Sequence, residues 1–78
     1  MTTIDVELDV KGLNCPMPLL KSKKALAGML PGQVLRVVST DKGSVSDMAA
    51  FCRQTGHELL EQTSEQTTFV FVIRRKST

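Results

Sequence analysis

The chemistry open to this 78-residue sequence rests mainly on two cysteines, one histidine and a proline pair. Cys15 stands directly before Pro16-Met17-Pro18. Prolines suit the first turn of a helix, where a missing N–H has no intrahelical partner to lose. A cysteine at that helix start faces the positive end of the dipole, which stabilises a thiolate. Lys11 and Lys42 add positive potential. The prolines stiffen the presentation of the sulfur and also withdraw backbone donors from it. Cys15 is therefore read as an exposed, reactive thiol rather than a small buried hydrophobe.

The other candidates are weaker. Cys52 falls on the apolar stripe of a second helix and reads as a packed core thiol. There is no C-x-x-C, so no local dithiol couple is expected. Two cysteines and one histidine do not make the usual four-ligand zinc set, and no metal is expected. His57 follows Gly56 at the start of a strand, at the sheet edge away from Cys15. That makes it a poor base for Cys15 and argues against a Cys-His hydrolase. Asp41 shares the edge with Cys15, although an aspartate before a helix is ordinary turn chemistry. Arg74-Arg75-Lys76 reads as a solvated basic tail.

The elements that must place these residues follow from periodicity. Ile4, Val6, Leu8 and Val10 alternate with Asp5, Glu7 and Asp9, giving a strand with one buried face. Pro16 to about Leu30 reads as a helix with Leu19, Ser22, Leu26, Met29 and Leu30 inward; Pro31-Gly32 stops it. Val34 to Ser39 is a second strand. Ser44 is the expected N-cap of a second helix, with Asp47 three residues on as in a capping box. Val45, Met48, Ala49 and Cys52 form its inner face, and Gly56 ends it in a left-handed turn. His57 to Thr63 and Thr67 to Arg74 form a hairpin around Ser64-Glu65-Gln66.

The order β-α-β-α-β-β predicts an α+β fold. It is a two-layer α/β sandwich with a four-stranded mixed sheet and two helices on one face. Glu7 and Arg36 should lie on the helix-free face, on neighbouring strands. Phe69, Phe71 and Ile73 alternate with Val70 and Val72, so the last strand is apolar on both sides. It reads as a central strand that adds apolar partner surface to the open face. Gly12 to Pro16, Thr40 to Ser44 and the Ser64 turn all meet at the carboxyl edge, where open α/β sheets bind ligands.

Composition narrows the function classes. Hydrophobic residues make up 41% and charged residues 23%, an ordinary globular balance that argues for one domain over residues 1–78. A cofactor pocket of ~300–1,000 Å³ hardly fits within so small a core, and no cofactor is expected. A net charge of +2 with no Trp or Tyr and three Phe gives little basis for nucleic-acid binding. No apolar run approaches the ~20 residues of a membrane helix. The acidic, alternating stretch from Met1 to Glu7 does not read as a signal peptide. Two cysteines are too few for a disulfide scaffold, and a reducing cytoplasmic setting is expected.

Asp9, Gly12-Leu13, Cys15-Pro16-Met17-Pro18, Gly32, Thr40-Asp41, Asp47, Gly56-His57 and the final strand with Arg74 together resemble the TusA/SirA-like sulfurtransferases. The likeness covers nearly the whole chain, and Cys-Pro-x-Pro is its specific motif. The resemblance implies sheet order 1-2-4-3 with the last strand antiparallel, as in the C-terminal domain of a bacterial translation initiation factor. It also implies that Cys15 carries sulfane sulfur as a persulfide. A cysteine desulfurase or a rhodanese would be the donor, and a DsrE-like or other sulfur-relay protein the acceptor. The endpoints include tRNA 2-thiolation, molybdenum-cofactor chemistry and sulfur oxidation; direct tRNA binding and membrane binding are not expected.

A carrier needs one exposed sulfur, no deep pocket and no nearby resolving thiol, and the sequence has these properties. Lys11, Asn14, Pro16, Met17, Pro18, Asp41 and Lys42 are the supporting or partner-contact candidates around Cys15. Two other classes remain open: a small RNA- or anion-binding module, and a thiol-based regulatory adaptor that transfers no sulfur.

Overall fold

Asp5 marks where the alternating segment becomes sheet. Its N–H donates to the Val34 carbonyl at 2.9 Å, and its Oδ2 accepts the Val34 N–H at 2.8 Å. The side chain thus takes a ladder position, and strand β1 spans Val6–Val10 rather than starting at Ile4. The computed structural model describes residues 3–77, so Met1, Thr2 and Thr78 lie outside it.

Helix α1 (Met17–Ala27), strand β2 (Val34–Ser39), helix α2 (Ser44–Thr55) and strands β3 (Glu58–Glu65) and β4 (Thr68–Arg74) follow. The sheet order is β1-β2-β4-β3. β1 and β2 are parallel, and β4 runs antiparallel to both of its neighbours. This is the expected two-layer β-α-β-α-β-β arrangement, with the most apolar strand inside the sheet.

The core explains the layering. Val10, Leu35, Val37, Phe71 and Ile73 project from one side of the sheet to meet Leu26, Met48, Phe51 and Cys52 from the helices and Met29 from the turn after α1. A fully buried side chain of this size contributes about 1.5–3 kcal/mol. On the other face, Glu7 and Arg36 are register partners and pair at 3.2 Å. Val72 alternates with the core residues Phe71 and Ile73, yet is only 6% exposed. Its register neighbours are the long side chains of Arg36 and Glu61. The open face is therefore less apolar than the alternation alone suggested.

Several boundaries differ from expectation for local reasons. α1 stops at Ala27, because Gly28 and Met29 turn their N–H groups to the Ala25 and Leu26 carbonyls at 3.2 and 3.1 Å. Leu30 lies beyond the helix and is 67% exposed, so it does not belong to the inner face. Pro16 is the N-cap rather than the first helical residue, and Pro18 occupies the second helical position. Gly43, not Ser44, is the N-cap of α2. Ser44 turns inward instead, its hydroxyl donating to the Asp41 carbonyl and lying 3.2 Å from Ser39 Oγ. The capping box with Asp47 is absent.

The hairpin ladder continues through Ser64↔Phe69 and Glu65↔Thr68, so the turn moves to Gln66-Thr67, with Gln66 at φ 55°. β3 begins at Glu58 rather than His57. The basic tail is solvated at Arg74 and Lys76 as expected, but Arg75 is half-buried and holds the end of α1. Arg75 Nε donates to the Leu26 carbonyl at 2.8 Å, a second donor on the acceptor that already takes the Met29 N–H at the end of α1, while Arg74 pairs with Glu58.

Candidate functional site

The parallel pairing of β1 with β2 brings the loops that follow them to the same edge. After Val10 the chain reverses at Gly12, whose φ of 84° suits a residue without Cβ. The Gly12 N–H donates to Thr40 Oγ1 at 2.9 Å, joining the β1–α1 loop to the β2–α2 loop. Leu13 packs against the core, and its N–H returns to the Val10 carbonyl at 3.1 Å. These contacts anchor the segment on both sides before it reaches Cys15.

Cys15 itself is exposed and leads through a cis peptide into Pro16. No side chain caps α1. The first helical N–H, that of Met17, is spent on the Asn14 carbonyl at 2.9 Å, and Pro18 has none to offer. Pro18 is buried, and its carbonyl accepts the buried Ser22 hydroxyl at 2.8 Å. Pro18 thus supports the turn from inside, whereas Asn14, Pro16 and Met17, the chain neighbours of Cys15, are exposed at the surface. Met17 and Leu20 are 39% and 46% exposed, an apolar ridge leading away from Cys15 along the first turn of α1.

The partner of the sulfur comes from the other helix. Asp47 sits in the first turn of α2, and its Oδ2 accepts a hydrogen bond from Cys15 Sγ at 3.3 Å. That bond, followed by desolvation and by the charges of Asp47 and Asp41, pushes the Cys15 thiol above its ordinary value. This reverses the expectation of a thiolate stabilised by the helix start. The prolines and Asn14 remove the donors that would favour the anion, and two carboxylates oppose it. The expected lysines do not offset them. Lys11 is held at 3.8 Å by Asp9, which also accepts the Lys11 N–H at 2.9 Å. Lys42 is exposed and forms no ion pair among the described residues.

Asp41 is half-buried in the facing loop. Its N–H donates to Ser39 Oγ at 3.0 Å, its carbonyl accepts Ser44 N–H at 3.0 Å, and its Oδ2 has no partner among the described residues. Asp47 is the residue whose site role the sequence reading missed, having been assigned to a cap. The available signal was topological: both helices start at the same edge, so a first-turn acid on α2 can face the start of α1.

His57 lies at the opposite edge. Its Nδ1 accepts the Lys76 N–H at 3.0 Å, and its ring lies 5.4 Å from that of Phe51. A groove of about 540 Å³ lined by Gly32, Gly56, Glu58, Arg74, Arg75 and Lys76 also opens at that edge, away from the cysteine. Cys52 is 5% exposed within the core, and burial pushes its thiol up. Among the described residues no three Cys, His, Asp or Glu side chains cluster as metal ligands, and no helix is long and apolar enough to cross a membrane.

Comparison with known proteins matches this arrangement to relatives of the same length. The family model described as sulfurtransferase TusA matches residues 6–75. The sulfur carrier protein TusA of Allochromatium vinosum is 52% identical over 75 residues, covering 96% of this chain and 99% of the relative. The protein of the same name from Pseudomonas aeruginosa is 39% identical over 75 residues, covering 96% and 95%. The crystal structure of a SirA-like protein from Desulfitobacterium hafniense superposes with a TM-score of 0.79 at 23% identity, covering 91% of this chain and 97% of that one. At that identity the likeness concerns the fold alone.

Proposed function

The chain belongs to the TusA sulfurtransferase family, and from that premise we propose that Cys15 carries sulfane sulfur as a persulfide between protein partners. The observation that carries this reading is the separation of the two thiols. Cys15 is exposed, while Cys52 is sealed in the core. A persulfide on Cys15 therefore has no resolving thiol within its own chain to discharge it as a disulfide.

The transfer balances without an external oxidant or reductant. Cys15 loses its proton, and its sulfur attacks the outer sulfur of a donor persulfide. The donor S–S bond breaks, a new S–S bond forms on Cys15, and the donor sulfur leaves as a thiolate that takes up a proton. The same step in the forward direction, with an acceptor thiolate attacking Cys15-bound sulfur, unloads the carrier. A surface site suits this exchange, since two protein sulfurs must meet.

The donor in this reading is a cysteine desulfurase or a rhodanese, and the acceptor a DsrE-like or other sulfur-relay protein of the cytoplasm. Exposed Met17 and Leu20 beside the sulfur offer such a partner an apolar contact. The test is intact mass spectrometry after incubation with a desulfurase and cysteine, or with a rhodanese and thiosulfate. A single-sulfur adduct that maps to Cys15 and is removed by reductant is expected. An unmodified protein with both donors, or an adduct on Cys52, would overturn the assignment.

A further inference from the structure

We propose that Asp47 is a brake on Cys15: its carboxylate holds the sulfur as a hydrogen-bonded thiol between encounters, and a donor that draws the carboxylate away frees the nucleophile. The proposal rests on the persulfide-carrier reading and adds a positioning residue to it. It stands first on geometry. Cys15 Sγ donates to Asp47 Oδ2 at 3.3 Å across 32 positions of sequence, between the starts of two different helices. The contact fixes the direction of the S–H bond on an otherwise exposed side chain.

The charged groups around the sulfur point the same way. α2 contributes Asp47, and the β2–α2 loop contributes Asp41, both raising the thiol. The first turn of α1 contains no acidic or basic side chain. The β1–α1 loop brings Lys11, which Asp9 engages, and the β2–α2 loop brings Lys42, which pairs with no carboxylate among the described residues. A negative charge beside a sulfur disfavours the anion and so favours the thiol. The thiolate is the species that attacks and is oxidised, so a thiol held protonated is slow toward adventitious electrophiles. A protein donor that offers Asp47 a stronger hydrogen-bond donor removes that restraint at the moment sulfur is delivered. The Cys15 proton leaves to solvent, the freed thiolate attacks the outer sulfur of the donor persulfide, the donor S–S bond breaks as the Cys15 S–S bond forms, and the departing donor thiolate takes up a proton.

The pH profile of alkylation isolates this role from sulfur transfer. Iodoacetamide reacts with the native protein, with Asp47→Asn and with a peptide spanning residues 11–20, and modification at Cys15 is followed by mass. The native profile should inflect at higher pH than the peptide, and the Asp47→Asn profile at lower pH than the native one. For each unit that the inflection falls, the thiolate fraction at neutral pH rises tenfold while its nucleophilicity falls by about threefold. Asp47→Asn should therefore react about threefold faster per unit at neutral pH, and more slowly than native once both are fully ionised. A lost structural contact alone does not produce such crossing profiles.

A folded Asp47→Asn protein whose profile overlays the native one, or moves to higher pH, would overturn the brake. If that variant does not fold, the native protein and the peptide decide: a native inflection at or below that of the peptide overturns it equally. Sulfur loading is scored separately. Failure of Cys15 to accept sulfur sinks the carrier reading and leaves the alkylation result standing, and the reverse also holds.

Discussion

Gly12 and Thr40 join the two loops of the functional edge: the Gly12 N–H donates to Thr40 Oγ1 at 2.9 Å, across 28 positions of sequence. The bond sits between the ends of β1 and β2, where the sheet ladder has run out. Thr40→Val keeps the shape and removes the acceptor. It should cost about 0.5–1 kcal/mol and lower Tm by roughly 2–8 °C. Thermal unfolding by circular dichroism measures this, and an unchanged Tm would show that the loops are held by packing alone.

Cys15→Ser should remove sulfur loading and leave the fold intact. Pro16 occupies the N-cap and no side chain caps α1, so the substituted residue has no capping bond to lose. An exposed substitution of this kind stays within about 0.5 kcal/mol of native stability. Loading is read by intact mass and stability by thermal unfolding of the same sample. A variant that unfolds would show that Cys15 is a structural residue.

Cys52→Ser should cost on the order of 1–3 kcal/mol by placing an unsatisfied hydroxyl in the core. Denaturant titration reports the loss. Sulfur loading should persist in the folded fraction, and its disappearance there would implicate Cys52 in the chemistry.

His57 should make the protein acid-sensitive below neutral pH. Burial, followed by the charges of Lys76 and Arg75, lowers its proton affinity from the ordinary value of 6.5, and its Nδ1 already accepts the Lys76 N–H. The unfolded chain thus binds a proton at higher pH than the native one does. The contribution is fully present above 6.5 and is lost as pH falls through the lowered native value. Proton NMR of the imidazole should show a midpoint below that of the unfolded chain, and His57→Gln should flatten the stability profile over this window. A midpoint above the unfolded value contradicts the assignment.

The exposed Glu7–Arg36 pair, at 3.2 Å on the helix-free face, should contribute only about 0–1 kcal/mol. A double-mutant cycle with Glu7→Gln and Arg36→Gln measures the coupling, which should shrink as salt is raised. A larger, salt-independent coupling would mean that the face is desolvated.

The elements were legible because their patterns are local. The alternation before Lys11, the apolar run at Val34–Ser39 and Gly56 as a left-handed terminator each act over a few residues, and each appears in the fold. The boundaries that moved depend on groups distant in sequence. Arg75 reaches the end of α1 from 49 positions away, and Ser44 turns inward toward Ser39 and the Asp41 carbonyl instead of capping. The position of Cys15 was likewise legible from its proline motif, but its protonation was not. The helix start argued for an anion, and only the assembled sheet places Asp47 against the sulfur.

The long outer strand β3 carries Glu58, Glu61 and Glu65 along its length, with a register shift between Leu59 and Glu61. Its outer rim would otherwise be a template on which another chain could extend the sheet. Two copies approaching edge to edge bring like charges together along a ladder that is already bent, which opposes continuous pairing. The chain thus has a built-in bias against polymerising with itself through this strand.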